Sequence, residues 1–133
     1  MTSEDCKQLR DILLEHPALH DGGYGPSAYG DDDANRVILA TSIEEFVTAR
    51  EWIAQHFLPT ARINSRRSSY GMKHVMERES GYYVTNGVFI AAMLANGYRM
   101  KRKPFYNPSF NVAEFSVRQM ELQNETRRKA ARH

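Results

Sequence analysis

Basic side chains in the second half of the chain are the residues whose spacing most clearly suggests a chemistry. Four of them lie between positions 99 and 103, close to the aromatic pair Phe105-Tyr106, and a further group lies upstream near position 66. Lysine and arginine neutralise phosphates, while aromatic rings lie against sugars or unstacked bases. The predicted nucleic-acid-binding residues are Arg66, Arg67, Lys73, Arg99, Lys101, Arg102, Lys103 and Tyr106.

Charge is divided unevenly along the chain. Residues 1–60 hold four basic and eleven acidic side chains, a balance of −7, whereas residues 61–133 hold fourteen and five, a balance of +9. The net charge is therefore only +2. A basic half of this size attracts polyanions, chiefly nucleic acid, or an acidic protein surface. The alternative, which the sequence leaves open, is that the two halves neutralise each other within one fold.

Acidic residues between about 17 and 35 suggest a second kind of interface. This stretch is rich in Gly, Asp and Tyr, has no helical or strand period, and is predicted to be a long loop. An acidic loop that mimics phosphates would bind a protein that handles nucleic acid. The candidate partner-binding residues in this alternative are Asp21, Asp31, Asp32 and Asp33.

Metal binding has little support in the sequence. His16 and His20 are four residues apart, but Pro17 interrupts the helix that would place both imidazoles on one face. The three consecutive aspartates lack the alternating spacing and the downstream glutamate of a calcium loop. We therefore expect no metal and no cofactor.

Catalytic motifs are also missing from the sequence. Ser68, Ser69 and His74 are neighbours, but no nucleophile elbow or oxyanion signature surrounds them. We predict no catalytic residues. An enzyme remains a third hypothesis, which a pocket bringing His74 to a tyrosine or a carboxylate would favour.

The elements that must position these residues are mainly helical. Capping residues and apolar stripes predict helices over residues 3–15, 42–58, 69–79, 86–96 and 112–123. A short buried strand is predicted over Arg36–Ala40, and a β-hairpin over Tyr98–Val112 with its turn at Lys103–Pro108. The last residues, 124–133, are charged and are predicted to fray.

The second half has the element order of a winged helix, namely a β-prone run at Tyr82–Val84, a capped helix and a basic hairpin. The predicted fold class is mainly α (α+β), a compact helical domain with a small β-hairpin and a winged-helix-like C-terminal half. The helix over residues 86–96 is apolar almost all round and has no Arg, Lys or Gln to reach base edges. Binding would therefore use the nucleic-acid backbone, with little sequence specificity.

Size and composition narrow the class of protein. A chain of 133 residues with 41% apolar and 26% charged residues is typical of one soluble globular domain spanning residues 1–133. Cys6 is the only cysteine, which excludes an internal disulfide and suits a reducing cytosol. There is neither an apolar run of roughly 20 residues nor a signal sequence, so we expect a cytoplasmic protein without membrane contact. The oligomeric state stays open.

Several short strings between Asn64 and Val112 carry a resemblance to known proteins. They are Ser69–His74 (SYGMKH), Tyr83–Gly87 (YVTNG), Phe89-Ile90, Gly97-Tyr98 and Phe110-Asn111. This segment, a little over a third of the chain, resembles short uncharacterised accessory proteins of phages, plasmids and integrative elements. The resemblance implies a setting among mobile-element genes, where small proteins are often DNA-binding regulators or inhibitors of host defence such as anti-CRISPR proteins. It implies no site residues.

Two functions therefore stand as predictions. The leading one is a non-catalytic mobile-element accessory protein that contacts nucleic acid through a basic wing and helix with little sequence specificity. The alternative is a phage-type, anti-CRISPR-like inhibitor of a host defence complex. It would bind a host nucleic-acid-handling protein complex through the acidic loop, by protein–protein contact.

Overall fold

Six helices and two short antiparallel hairpins make up the part of the chain that the structure, a computed structural model, describes: residues 2–26, 32–103 and 107–131. In chain order they are α1 (Ser3–Glu15), β1 (Leu19–His20), β2 (Gly23–Tyr24), α2 (Asp32–Thr41), α3 (Ile43–His56), α4 (Ser69–Ser80), α5 (Asn86–Ala95), β3 (Met100–Lys101), β4 (Ser109–Phe110) and α6 (Glu114–Ala131). This confirms a mainly helical protein with small β-hairpins. None of the described helices is both long and apolar enough to cross a membrane.

Helix α5 lies at the centre of the hydrophobic core. The Thr85 hydroxyl caps its first turn by accepting the Val88 N–H, and Asn96 ends it. Eight of its ten residues are buried, and it packs against α1, α3 and α4. The predicted buried helix is thus confirmed, and it offers no exposed face for reading a DNA groove.

The hairpin β1–β2 packs against the N-terminus of α5. Leu19 pairs with Tyr24 in this hairpin, and the Gly87 N–H of α5 donates to the Asp21 carbonyl at 2.9 Å. A Cβ built on Gly87 would lie 2.0 Å from the carbonyl oxygen of His20. Only glycine allows this close approach of helix and hairpin, so Gly87 fixes where the β1–β2 turn lies.

Helix α2 corrects two predictions, the strand over Arg36–Ala40 and the long acidic loop over residues 17–35. Asp32 and Asp33 occupy its first turn, where acidic side chains are favourable. The loop prediction was wrong also because β1 and β2 lie within it. The strand prediction was wrong because an apolar run too short to show a period was taken as buried, whereas α2 buries only Leu39.

Arg36 explains how α2 is attached to the rest of the fold. Its guanidinium reaches the C-terminal end of α1 and the loop that follows, where carbonyl groups lack helical partners. The acceptors are the carbonyls of Leu13, His16, Pro17 and Leu19, at 2.6–3.0 Å. A side chain that sequence reasoning assigned to a strand therefore caps α1 from a helix.

Of the predicted C-terminal elements, the capped helix, the hairpin and the last helix form, but not all with the predicted bounds. Met100 lies opposite Phe110 in the β3–β4 hairpin, and the β-prone run at Tyr82–Val84 forms no strand. Helix α6 continues to Ala131 rather than ending near residue 123, so residues 124–131, which were predicted to be a frayed tail, are helical in the structure. Residues 124 and 127 bond the helix to α4, through amide and guanidinium donors that reach backbone carbonyls.

Candidate functional site

Hairpin β3–β4 and the segment of residues 61–67 are held together by basic side chains. The Lys103 ammonium donates to the carbonyl of Ser65 at 2.7 Å, and the Arg99 guanidinium donates to the carbonyl of Ala61. The cations of both segments therefore share one surface, called the basic surface below. Its members are Arg62, Arg66, Arg99, Lys101, Arg102 and Lys103.

Salt bridges do not neutralise the basic surface, although the charge of Arg66 helps to lower the pKa of Glu114. Five of its six side chains are exposed and Lys103 is partly exposed. Within the described ranges, none of the six forms a salt bridge. The Arg102 guanidinium lies 5.0 Å from the centre of the Tyr24 ring, a cation–π contact that leaves its charge in place. A surface with this potential attracts phosphates.

Arg67, which we had predicted to contact nucleic acid, has a structural role instead. Its guanidinium donates to both oxygens of Glu114, at 2.7 and 3.1 Å, and to both oxygens of Glu121, at 2.8 and 2.9 Å. Hydrogen bonds to Arg67 lower the pKa of Glu114 to about 2, and the two carboxylates raise the pKa of Arg67. Because two carboxylates pair with the Arg67 guanidinium, it contributes no free charge to a nucleic-acid interface.

Lys73 is likewise unsuited to a phosphate contact. Its side chain is 4% exposed, and its ammonium lies 3.0 Å from a Glu77 carboxylate oxygen. The same ammonium lies 5.5 Å from the Tyr70 ring centre and 4.7 Å from that of Tyr83. Binding a phosphate would require breaking a buried ion pair, which removes Lys73 from the predicted footprint.

The predicted acidic residues do not form one exposed loop. The Asp21 carboxylate accepts the Thr85 hydroxyl at 2.8 Å, and burial raises the pKa of Asp21. Asp32 and Asp33 lie in the first turn of α2, which also exposes apolar side chains. Two predicted residues, Asp31 in this group and Tyr106 in the basic group, lie outside the described residues.

Tyr70 and Tyr83 flank a cleft of about 540 Å³ between α4, the β1–β2 turn and the start of α5. The two rings are 51% and 70% exposed. The cleft is called the aromatic cleft below. Its lining residues are Asp21, Gly22, Tyr70, Lys73, His74, Tyr83, Thr85, Asn86 and Asn107. A half-open cleft with aromatic and polar walls is suited to a planar polar ligand.

Asn86 forms the floor of the aromatic cleft and joins three segments. Its Oδ1 accepts the Ser69 hydroxyl at 2.8 Å, while its Nδ2 donates to the Gly22 carbonyl at 3.2 Å and to Asn107 Oδ1 at 2.8 Å. Polar groups that are buried and paired in this way fix the geometry of a site. The floor therefore holds α4, the β1–β2 turn and the end of the β3–β4 loop at defined positions.

His74 lies in the aromatic cleft beside Tyr70, at a ring-centre distance of 4.4 Å and nearly perpendicular. Its Nδ1 is 2.9 Å from Glu77 Oε1. The structure thus brings His74 to both a tyrosine and a carboxylate, the condition that would favour an enzyme. Among the described residues, however, no hydroxyl or thiol is hydrogen-bonded to His74, so a histidine-activated nucleophile is not formed.

Sequence reasoning missed the aromatic cleft, although it had singled out two of the contributing strings. SYGMKH and YVTNG carried the resemblance, and together they supply Tyr70, Lys73, His74, Tyr83 and Asn86. Because neither string matches a catalytic or ligand-binding motif, only their convergence in space reveals the site.

Two other features take no part in the candidate site. A groove of about 720 Å³ along α6 carries mixed charge, because Arg78 and Arg118 alternate with Glu121 and Glu125. His16 and His20 make contacts within the β1–β2 region, where the His16 ring bonds the Tyr24 hydroxyl and the His20 ring bonds the Gly25 carbonyl. In residues 2–26, 32–103 and 107–131, no three His, Cys, Asp or Glu side chains are grouped as metal ligands.

Comparison with known proteins adds no relative. No family model matches the chain, and neither the curated proteins nor the solved structures include one with significant similarity to it.

Proposed function

We propose that the protein is a non-catalytic accessory protein of mobile elements that contacts nucleic acid in the cytoplasm with little sequence specificity. The hairpin β3–β4 acts as a wing, as in the second half of a winged helix. The observation that carries the proposal is the basic surface, whose two segments are joined by Arg99 and Lys103 and whose six cations form no salt bridge among the described residues. Such a surface binds phosphates by releasing their counterions.

Low sequence specificity follows from the burial of α5. In a winged helix the helix before the wing enters the major groove, whereas α5 buries eight of its ten residues. Base readout requires side chains that reach base edges. Contacts restricted to phosphates position a protein on nucleic acid without selecting a sequence. The revised footprint is therefore the basic surface, with Arg67 and Lys73 removed.

A binding role is favoured over a catalytic one by the surroundings of His74. Its imidazole bonds Glu77 at 2.9 Å, and Glu77 also bonds Lys73 and the Val84 N–H. These contacts tie Nδ1 of the imidazole to a carboxylate that is already paired with Lys73. A general base needs a hydroxyl, thiol or water proton within reach, and no protein hydroxyl or thiol is bonded to this imidazole among the described residues.

Charge reversal on the wing tests the proposed function. The double variant Lys101→Glu/Arg102→Glu removes two phosphate contacts and introduces repulsion, so we expect affinity for short DNA to fall at least ~100-fold without unfolding. Fluorescence anisotropy gives the affinity, and circular dichroism checks the fold.

The matched control is Lys7→Glu/Arg10→Glu on α1, which changes the net charge equally at side chains that are exposed and lie on a different element. The control double should bind nearly as tightly as wild type. An equal loss in both doubles would show that total charge, not the wing, governs binding, and would refute the assignment.

The second candidate function, an anti-CRISPR-like inhibitor of a host defence complex, draws support from α2. Val37 is 63% exposed and Ile38 is 49% exposed, next to the acidic first turn at Asp32 and Asp33. Apolar side chains surrounded by acidic ones can anchor a contact with a basic, nucleic-acid-binding protein groove. On this hypothesis the phosphate mimic is a helix end rather than the predicted loop.

Inhibition of DNA cleavage by CRISPR effector complexes tests the second candidate. If α2 is the contact, Val37→Asp and the double variant Asp32→Asn/Asp33→Asn should each weaken inhibition at least ~10-fold. Leu122→Asp is the matched control, because Leu122 is 56% exposed on α6. Full inhibition by the α2 variants would eliminate this mechanism.

A further inference from the structure

The aromatic cleft is continuous with the basic surface. Asn107 follows the loop that joins β3 to β4, and it bonds Asn86 on the floor of the cleft. The β1–β2 hairpin, whose turn lines the cleft at Asp21 and Gly22, places Tyr24 under the Arg102 guanidinium, 5.0 Å away. The β3–β4 hairpin therefore contributes cations to the basic surface and its flanking residue Asn107 to the cleft.

Among the described residues, the aromatic cleft holds no lysine or arginine without a carboxylate partner. Lys73 is paired with Glu77 at 3.0 Å, and Asp21 lies in the same cleft with its carboxylate accepting the Thr85 hydroxyl. A phosphate entering here would meet carboxylates and no free cation, at a cost in repulsion and desolvation. The occupant should therefore be neutral, and the free cations lie outside, at the rim.

The walls of the aromatic cleft supply aromatic surface and also hydrogen-bonding groups. His74 packs against Tyr70 and the Lys73 ammonium lies near both tyrosine rings, but Tyr70 and Tyr83 are half or more exposed and keep ring surface for stacking. The Asn107 amide nitrogen and the second ring nitrogen of His74 carry no hydrogen bond to the described residues. Aromatic faces beside unused polar edges are the recognition elements of an unpaired base.

We infer that the aromatic cleft takes one unpaired nucleobase of a single-stranded nucleic acid, while the neighbouring phosphates lie on the basic surface. This inference rests on the proposed function and names its ligand class. The cleft volume of about 540 Å³ is in the range of small-ligand sites, roughly 300–1,000 Å³. A base in a duplex is stacked and paired, so it cannot enter the cleft.

Anisotropy with labelled oligonucleotides tests the inference. A single strand, its duplex, and a strand of equal charge with abasic sites are titrated at one salt concentration, with an RNA strand of the same sequence to choose between DNA and RNA. We expect the single strand to bind at least ~10-fold more tightly than the duplex, and abasic sites to cost about 5- to 150-fold, as stacking of one base implies. Equal affinity for the single strand and the abasic strand would overturn the inference.

Variants that remove one tyrosine ring test whether the aromatic cleft is responsible for the preference for single strands. Tyr70→Ala and Tyr83→Ala should each weaken single-strand binding by a similar factor and leave duplex binding unchanged, whereas Tyr70→Phe and Tyr83→Phe keep the ring and should bind like wild type. Both side chains are exposed, so the variants should fold, as circular dichroism will verify. Alanine variants that bind single strands normally would refute the cleft assignment.

The two proposals fail in different ways. If no oligonucleotide binds with salt dependence, the proposed function falls and the inference falls with it. If single strand and duplex bind equally and lose affinity together in the Lys101→Glu/Arg102→Glu variant, the basic surface stands and only the base-binding cleft is refuted.

Discussion

Removing the guanidinium of Arg67 should destabilise the fold, whereas removing that of its neighbour Arg66 should not. Arg67 bonds Glu114 and Glu121 through four contacts of 2.7–3.1 Å and is 19% exposed. Arg66 is exposed and forms no salt bridge among the described residues. The variants Arg67→Ala and Arg66→Ala therefore separate structural from surface charge at adjacent positions.

The magnitude follows from the pKa of Glu114, which is lowered from 4.5 to about 2 by hydrogen bonds to Arg67, with smaller contributions from Asn64 and Arg66. At about 1.4 kcal/mol per pKa unit this shift corresponds to at most about 3–4 kcal/mol, and Arg67 supplies only part of it. The Glu114 side chain is 28% exposed, so solvent screens part of the interaction. We expect Arg67→Ala to lower the free energy of unfolding by about 2 kcal/mol and the Tm by roughly 5–10 °C. Arg66→Ala should stay within about 0.5 kcal/mol of wild type.

The difference between wild type and Arg67→Ala should depend on pH. A carboxylate whose pKa is lowered by folding stabilises the folded state above its unfolded pKa, and this stabilisation is lost as the pH falls toward the folded value. The difference should therefore be full at neutral pH and shrink between pH 4.5 and about 2. Urea unfolding followed by circular dichroism measures it. An Arg67→Ala variant as stable as Arg66→Ala, or a difference independent of pH, would refute this role of Arg67.

Two further substitutions test the contacts that support the aromatic cleft. Gly87→Ala should lower the free energy of unfolding by roughly 3 kcal/mol or prevent folding, because the new Cβ would lie 2.0 Å from a backbone oxygen. Gly71→Ala is its control, since the new Cβ meets only ordinary contacts, and it should be neutral or stabilising in the same urea assay. Lys73→Met should lower the free energy of unfolding by about 1–3 kcal/mol, because it leaves the partly buried Glu77 carboxylate without its cation. An unchanged unfolding midpoint for Lys73→Met would show that this ion pair does not support the fold.

Helices with local start and stop signals were predictable from the sequence. Thr85 and Asn96 delimit α5, and Ser68 caps α4 through the Gly71 N–H, as their residue types suggest. For α2, tertiary contacts rather than the local sequence pattern determine the structure. Its acidic first turn looked like part of a loop, and the attachment of Arg36 to α1 is a contact across about twenty residues that no local pattern shows.

The site was only partly predictable, because the sequence shows which side chains are charged but not which of them form ion pairs. Arg66 and Arg67 are adjacent and chemically identical, yet only one of them faces the carboxylates of α6. The hairpin cations form no salt bridge among the described residues, since Arg99 and Lys103 bond backbone carbonyls and Arg102 lies over the Tyr24 ring. The cleft between Tyr70 and Tyr83 arises from segments brought together by Asn86, and no periodicity encodes that contact.

The most direct test of the central claim is the salt dependence of DNA binding by the wild-type protein. If all six cations of the basic surface meet phosphates, the logarithm of the association constant should fall against the logarithm of salt concentration with a slope of about −5 for duplex and about −4 for single strands. That slope predicts a loss of several hundred-fold or more between about 50 and 200 mM salt. A flat salt dependence, or no binding at the lowest salt, would contradict the account.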